Sequence, residues 1–323
     1  MPDKYKAIWM SHSSYENYIK CPRLYYLANI YKDPKTKNKI SVTSPYIALG
    51  VAVHSVLEPL MEIKSEERRN VDLIAKYDEV FNFWRGDMGG WTDTMTEQDF
   101  YERGKKMIEQ VKNKFESGDD FILSQKSIRP SLYYKGDMIP NIILDERENI
   151  ILCGSIDWIV YNESSTSSAS ESSASNIPEI TVLDFKTGRN EESAESKQLL
   201  LYKILFESLQ DKWKVSRYAY YYLDRDEIVY KNWSDSGLNE LIKEIKREFI
   251  RVGIEIRDKR YECFFSKDNK YIERYVVRDN VEGNFKCPLG AGGCRNCLPY
   301  EKVLRREAKY VGLSLYGQDL YRQ

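Results

Sequence analysis

The chain has 323 residues, 42% of them hydrophobic and 31% charged, with a formal net charge of -1. That length and composition describe a globular protein of one elaborated domain or two modest ones, and the near-zero charge excludes a global electrostatic field for a polyanion. No stretch approaches the roughly 18 consecutive apolar residues of a membrane span. The opening MPDKYKAIWMSHSS also lacks the basic-then-apolar pattern of a signal peptide, so a cytosolic, cytoplasmic location is expected.

In chain order, the spacing predicts a helix over 13–30, opened by Ser13 and Glu16 at capping-box distance and interrupted near Pro22. Basic residues follow at Lys32, Lys35, Lys37 and Lys39 and recur near the end at Lys302, Arg305, Arg306 and Lys309; either patch alone reads as solvated surface. A second helix is expected from about Ile47 in LGVAVHSVLEPLMEI, where Gly50 and His54 stand four apart on one face. Residues 70–125 read as a helical elaboration without a legible motif.

From Ile139 the period changes. IPNIILDERENIILCGSIDWIVYN reads as two strands joined by a polar turn, and EITVLDFKTG as a third. Between them ESSTSSASESSASN, residues 163–176, is too polar to pack and reads as a loop. ESAESKQLLLYKILFESL predicts a helix, SRYAYYYLDRDEIVYKNW a hairpin, and residues 238–257 a long amphipathic helix. The tyrosine runs YYLANIY and RYAYYYL suit either core packing or a stacking surface for unpaired bases.

Chemistry concentrates on the strands. Asp157 is expected to end the strand in GSIDWIV and Asp184 the next, so neighbouring strands bring both carboxylates to one ion, and hard oxygen ligands suit Mg²⁺ or Mn²⁺. Lys186, two residues on, shares the Asp184 face, with Phe185 turned the other way into packing. Gln198 and Tyr202, four apart, fall on one face of the following helix. Singly, such residues are turn formers, surface ion pairs or core aromatics; their conjunction points to a site.

Six cysteines in a chain of this kind argue against a disulfide framework. Cys153 and Cys263, in apolar strand-like text, read as core thiols. Cys287, Cys294 and Cys297 crowd together in KCPLGAGGCRNC, and Cys21 lies far upstream in YIKCPRLYY.

GSIDWI, LDFKTG and QLLLY, in that order, resemble successive motifs of the RecB-like branch of the PD-(D/E)XK nuclease superfamily. LGVAVHSVLE resembles its upstream Gly-X-X-X-His helix, and YENYIKCPRLYYL its N-terminal helix bearing a first cluster cysteine. The resemblance implies an α/β fold: a restriction-endonuclease-like core with a mixed central sheet flanked by helices, helical elaborations and a Cys-ligated metal cluster. It is expected as one domain over 1–323, with a helical part at 13–135, a catalytic sheet and motif helix at 139–235, and a C-terminal helix and cysteine segment at 236–323.

It further implies that His54, Asp157, Asp184 and the Phe185 carbonyl ligate a divalent ion. Lys186 would act on the attacking water and the scissile phosphate, and Gln198 and Tyr202 would hold the DNA strand or the lysine. Without that context a lone His54 on an apolar helix reads as a core histidine, and His12 has no comparable setting. Cys21, Cys287, Cys294 and Cys297 close a Cys₄ set that accepts Zn²⁺ or a [4Fe-4S] cluster. The distant first cysteine favours the cluster, although the longer spacing precedes the short pair, the reverse of the order that branch more often shows. The expected activity is a Mg²⁺- or Mn²⁺-dependent DNA exonuclease acting on ends or single strands, with partners from a CRISPR-adaptation or recombination complex. The alternative is a non-catalytic DNA-binding or scaffold subunit with a structural Cys₄ site.

Overall fold

The computed structural model describes residues 6–32, 44–84, 96–117, 121–135, 139–161, 177–192, 196–233, 235–258, 263–265 and 271–275, with Lys37, Lys39, Val42, Cys297 and Tyr300 singly. Strand β1 (Ile8–Met10) passes at Ser11 into helix α1 (His12–Lys20). The capping box uses Ser11 and Ser14, not Ser13 and Glu16, because the chain leaves β1 at Met10 and the first unpaired N–H groups come two residues sooner. Cys21 is extended and Pro22 opens α2 (Pro22–Tyr25), where proline's missing N–H costs nothing, so the interruption falls where the sequence placed it.

Helix α3 (Pro45–Leu57) is capped by Ser44, and a tight turn (Glu58–Glu62) leads to α4 (Ser65–Arg68). The predicted helical elaboration is α5 (Leu73–Trp84) and α6 (Glu97–Ser117), followed by the short α7 (Pro130–Tyr133). Helices α3, α5 and α6 close on one another at Gly104, where a Cβ would stand 2.0 Å from Tyr77 Oη and 2.8 Å from Leu49 Cδ1. Glycine there is what allows the three axes to approach.

The predicted two strands of residues 139–162 are three: β2 (Asn141–Asp145), β3 (Ile150–Cys153) and β4 (Trp158–Tyr161). The irregular residues 154–157 carry the chain from one sheet to another, so the single mixed sheet expected from the sequence is two. The first has the order β1-β3-β2, with β1 parallel and β2 antiparallel to β3. The second has the order β4-β5-β6-β7 and contains β5 (Glu179–Lys186), β6 (Lys214–Tyr222) and β7 (Glu227–Lys231). Helix α8 (Gln198–Leu209) makes the crossover between β5 and β6, the one parallel pair of that sheet, and β6-β7 is the predicted hairpin.

Helix α9 (Asp235–Arg257) packs on the first sheet, and Gly253 lets it down onto Ile150. Strands β8 (Cys263–Phe265) and β9 (Tyr271–Tyr275) pair with each other. Tyr25 and Tyr26 of the first tyrosine run and Tyr218, Tyr220, Tyr221 and Tyr222 of the second are all buried. Those rings are core and offer no exposed stacking face. No helix among the described residues is long and apolar enough to cross a membrane.

Candidate metal and phosphate site

Strand β5 runs through the middle of its sheet, between β4 and β6, and every residue from Ile180 to Phe185 is buried. Its β-branched text suits a strand covered on both faces. Asp184 and Lys186 share one face, as the period of two requires. Phe185 turns the other way against Trp158 and Tyr221, with its ring edge-on to His54 at 5.8 Å. Asp157 does not end a strand as expected but stands just before β4, where its Oδ2 accepts the Phe185 N–H at 2.9 Å.

Helix α3 brings His54 to the same place from far upstream. Its Nε2 stands 3.2 Å from the Phe185 carbonyl oxygen, and its Nδ1 stands 3.6 Å from Asp157 Oδ2 and 2.7 Å from Glu58 Oε1. One ligand atom each from His54, Glu58 and Asp157 lies within 4.8 Å of the others. Glu58 was not singled out from sequence, although HSVLE carried the signal: an acid one turn after the histidine, on its face. Gly50, one turn before, keeps α3 close to the end of β5, since a Cβ would meet Thr187 Oγ1 at 3.4 Å.

Helix α8 supplies the connecting layer. Tyr202 Oη donates to Asp184 Oδ1 at 2.7 Å, with Asp157 Oδ1 at 3.5 Å, and Gln198 Nε2 donates to Asp184 Oδ1 at 2.6 Å. Gln198 Oε1 accepts from Lys186 Nζ at 2.8 Å. Asp184 thus faces Tyr202, Gln198 and Lys186 and stands outside the His54–Glu58–Asp157 group. Its Oδ2, 3.0 Å from Lys186 Nζ, is buried without a well-directed hydrogen bond. Lys186 is the cation beside it, paired with it in charge.

The charges agree with this geometry. Burial pushes the Asp157 carboxyl well above the usual range, and Asp184 adds to the effect while His54 opposes it. Burial alone would lower the His54 imidazole, but its bond to Glu58 and the charge of Asp157 outweigh it and push it up to about 9. As an imidazolium, His54 donates to Glu58 and to the Phe185 carbonyl together. Burial likewise disfavours charge on Lys186, yet Asp184 and Glu192 hold its value above the ordinary one, so it is a cation.

The sequence profile of the PD-(D/E)XK nuclease superfamily matches residues 9–297. The chain belongs to that superfamily. No match was found among curated proteins. PD-(D/E)XK nucleases use divalent metals, and the residues present fit one: a His-Glu-Asp group with the Phe185 carbonyl beside it. Of the predicted cluster cysteines, Cys21 and Cys297 are buried in the core, and Cys287 and Cys294 lie outside the described residues. Cys153 is the core thiol the sequence suggested, donating to the Met10 carbonyl at 3.6 Å, and burial pushes it up to about 11.

Proposed function

We propose that the chain is a Mg²⁺- or Mn²⁺-dependent deoxyribonuclease that hydrolyses phosphodiester bonds, acting at ends or on single strands. One observation carries the reading. Helix α3, the β4 start, strand β5 and helix α8, distant in sequence, bring together the partly buried group of His54, Glu58 and Asp157, with Asp184 and the ammonium of Lys186 beside it.

A divalent ion held by His54, Glu58, Asp157, Asp184 and the Phe185 carbonyl would lower the pKa of water and neutralise phosphate charge. The remaining work falls to the chain. Lys186, a cation at ordinary pH, stabilises the charge that develops on the phosphate oxygens and is not the base. Gln198 and Tyr202 are positioning residues: one holds Lys186 and Asp184 together, and the other pins the free rotation of Asp184.

The reading includes a [4Fe-4S] cluster on Cys21, Cys287, Cys294 and Cys297 in preference to Zn²⁺. The burial of Cys21 and Cys297 in one apolar core supports it. A cytoplasmic setting and a place in a CRISPR-adaptation or recombination complex complete it.

The test is cleavage of labelled single-stranded DNA by purified protein with Mn²⁺, on end-blocked and open substrates, against Lys186→Ala and Asp184→Ala. Undiminished cleavage by both variants sinks the site assignment, and binding by the wild type without turnover favours a scaffold subunit. Anaerobic purification decides the cysteine ligands: a brown protein absorbing broadly near ~400 nm holds iron and sulfide, a colourless one Zn²⁺.

A further inference from the structure

Lys186 Nζ has three oxygen acceptors around it, Gln198 Oε1 at 2.8 Å, Asp184 Oδ2 at 3.0 Å and Glu192 Oε1 at 3.1 Å. An ammonium has three protons, and these three oxygens, two of them from carboxylates, are its neighbours. Two of them are immobile. Asp184 is 1% exposed in the central strand, and Gln198 is bonded to both Asp184 and Tyr202.

Glu192 differs from both. It lies in the irregular segment after β5, its side chain is 33% exposed, and its carboxylate meets Lys186 alone among the described residues. Its backbone is nevertheless pinned: its N–H donates to Tyr222 Oη at 2.8 Å, and a few residues on Tyr220 Oη donates to Ser196 Oγ at 3.1 Å. Both tyrosines are buried in β6. The carboxylate can therefore leave Lys186 by side-chain rotation, with no movement of the main chain.

A second observation points to the same spot. His12, the first residue of α1, feels the charges of Glu16, Lys186, Asp184 and Glu192, and its Nε2 is buried with no hydrogen-bond partner among the described residues. Burial also lowers its pKa, which leaves a neutral ring with one N–H to give. An anion seated at Lys186 would supply the acceptor that His12 lacks.

We propose that Glu192 is a counter-ion that substrate displaces: its carboxylate oxygen holds the place on Lys186 Nζ that a non-bridging phosphate oxygen of the nucleic acid takes, with His12 Nε2 as a second donor. Carboxylate and phosphate oxygens make equivalent charge-assisted bonds to an ammonium, so the exchange preserves the surroundings of the cation. While the seat is empty of substrate, Glu192 spares the site an underpaired buried charge. The identity of the anion as a phosphodiester rests on the nuclease reading, whereas the seat rests on Lys186, Glu192 and His12 themselves.

The test is Glu192→Gln, an isosteric change at a partly exposed position. Two affinities are measured: a short single-stranded oligodeoxynucleotide by fluorescence anisotropy with Ca²⁺ in place of Mn²⁺, and inorganic phosphate by ³¹P line broadening, with Lys186→Met as the control that removes the seat. Loss of the competing ion pair tightens both by about fivefold, and His12→Ala in the Glu192→Gln background weakens both again. Unchanged or weaker binding of both probes overturns the proposal. So does a tenfold or greater loss of Mn²⁺ affinity in Glu192→Gln, which would make Glu192 a metal ligand. If phosphate tightens but no nucleic acid is bound or cut, the seat stands and the nuclease reading fails. If the wild type cuts DNA while neither affinity responds, the nuclease reading stands and the displacement fails.

Discussion

Arg68 is a buried cation and Lys186 a partly buried one, and their neighbours carry different charge. The Arg68 guanidinium, 1% exposed, donates to the carbonyls of Leu60, Ile63, Leu123 and Gln125 and to the Ser127 hydroxyl, and lies 4.8 Å from the centre of the Trp158 ring. Those acceptors are neutral, so burial lowers its pKa to about 10, with Arg129 adding to the effect. Lys186 instead has carboxylates, and its pKa moves the opposite way. A buried cation saturated by fixed carbonyls is a fastener: Arg68 ties the turn after α3 to residues 123–127, and Ser127 bridges to Val160 of β4. A partly buried cation among an excess of carboxylates is part of a site. Among the described residues, the cations that Asp157, Asp184, Glu58 and Glu192 surround are Lys186 and His54, and that imbalance is what a divalent ion and a phosphate would resolve.

Removing each cation separates the two roles most sharply. Lys186→Ala is expected to lower the rate of cleavage by about 10²–10³-fold, on the scale of losing one preorganised charge at a transition state. Its melting temperature should fall less than that of Arg68→Ala, because Lys186 is partly exposed and the carboxylates it leaves can take up protons. Arg68→Ala should do the reverse, costing about 3–5 kcal/mol because several buried acceptors lose their donor together, while the folded fraction keeps its turnover number. Denaturant titration beside single-turnover kinetics checks both, and equal stability losses in the two variants would erase the distinction.

Glu58→Gln comes next and tests whether the negative excess serves a metal. Mn²⁺ affinity should fall at least about tenfold, read by titration of the protein with no DNA present. An unchanged affinity would confine Glu58 to orienting the His54 ring.

His54 allows the charge balance to be read by pH. Its folded value, about 9, lies above the ordinary 6.5, so the stabilisation it contributes to the metal-free protein is fully present below 6.5 and is lost as pH rises towards 9. The melting temperature in chelator should therefore decline over that window. Ligation needs the deprotonated ring, so Mn²⁺ affinity should rise over the same window. With Mn²⁺ in excess the decline should flatten, and parallel curves with and without the ion would exclude His54 as a ligand.

The smallest effect belongs to a third arrangement, in which Lys197 and the Tyr15 hydroxyl both bond Glu248, while Tyr15 stacks on Phe249 at 4.4 Å. Tyr15→Phe keeps the stack and should cost about 1 kcal/mol with cleavage unaffected, which thermal denaturation measures. A large loss of cleavage would place this fastener within the site.

Local text made part of the site legible. Asp184 and Lys186 share a face by strand period, and Gln198 and Tyr202 by helix period, so spacing alone paired them. Glu58 was equally readable, one turn after His54 on the same helix face. Asp157 stands before a strand and not at the end of one, since nothing in GSIDWIV marks the break at 154–157 that starts a new sheet. Glu192 and His12 gave no signal, because an acid in polar loop text and a histidine at a helix start acquire meaning only from what lies across from them.

The sequence by itself determined the periods, the breaks at proline and glycine, and the superfamily, because these are set by neighbours within a few residues. The tertiary structure alone decided that one expected sheet is two, that the tyrosine-rich runs are core, that Lys186 is met by Glu192, and that His12 Nε2 is buried without a partner among the described residues. The physical reason is range. Hydrogen-bonded period and chain stiffness act over one turn or a strand, whereas desolvation and charge act between elements brought together from anywhere in the chain.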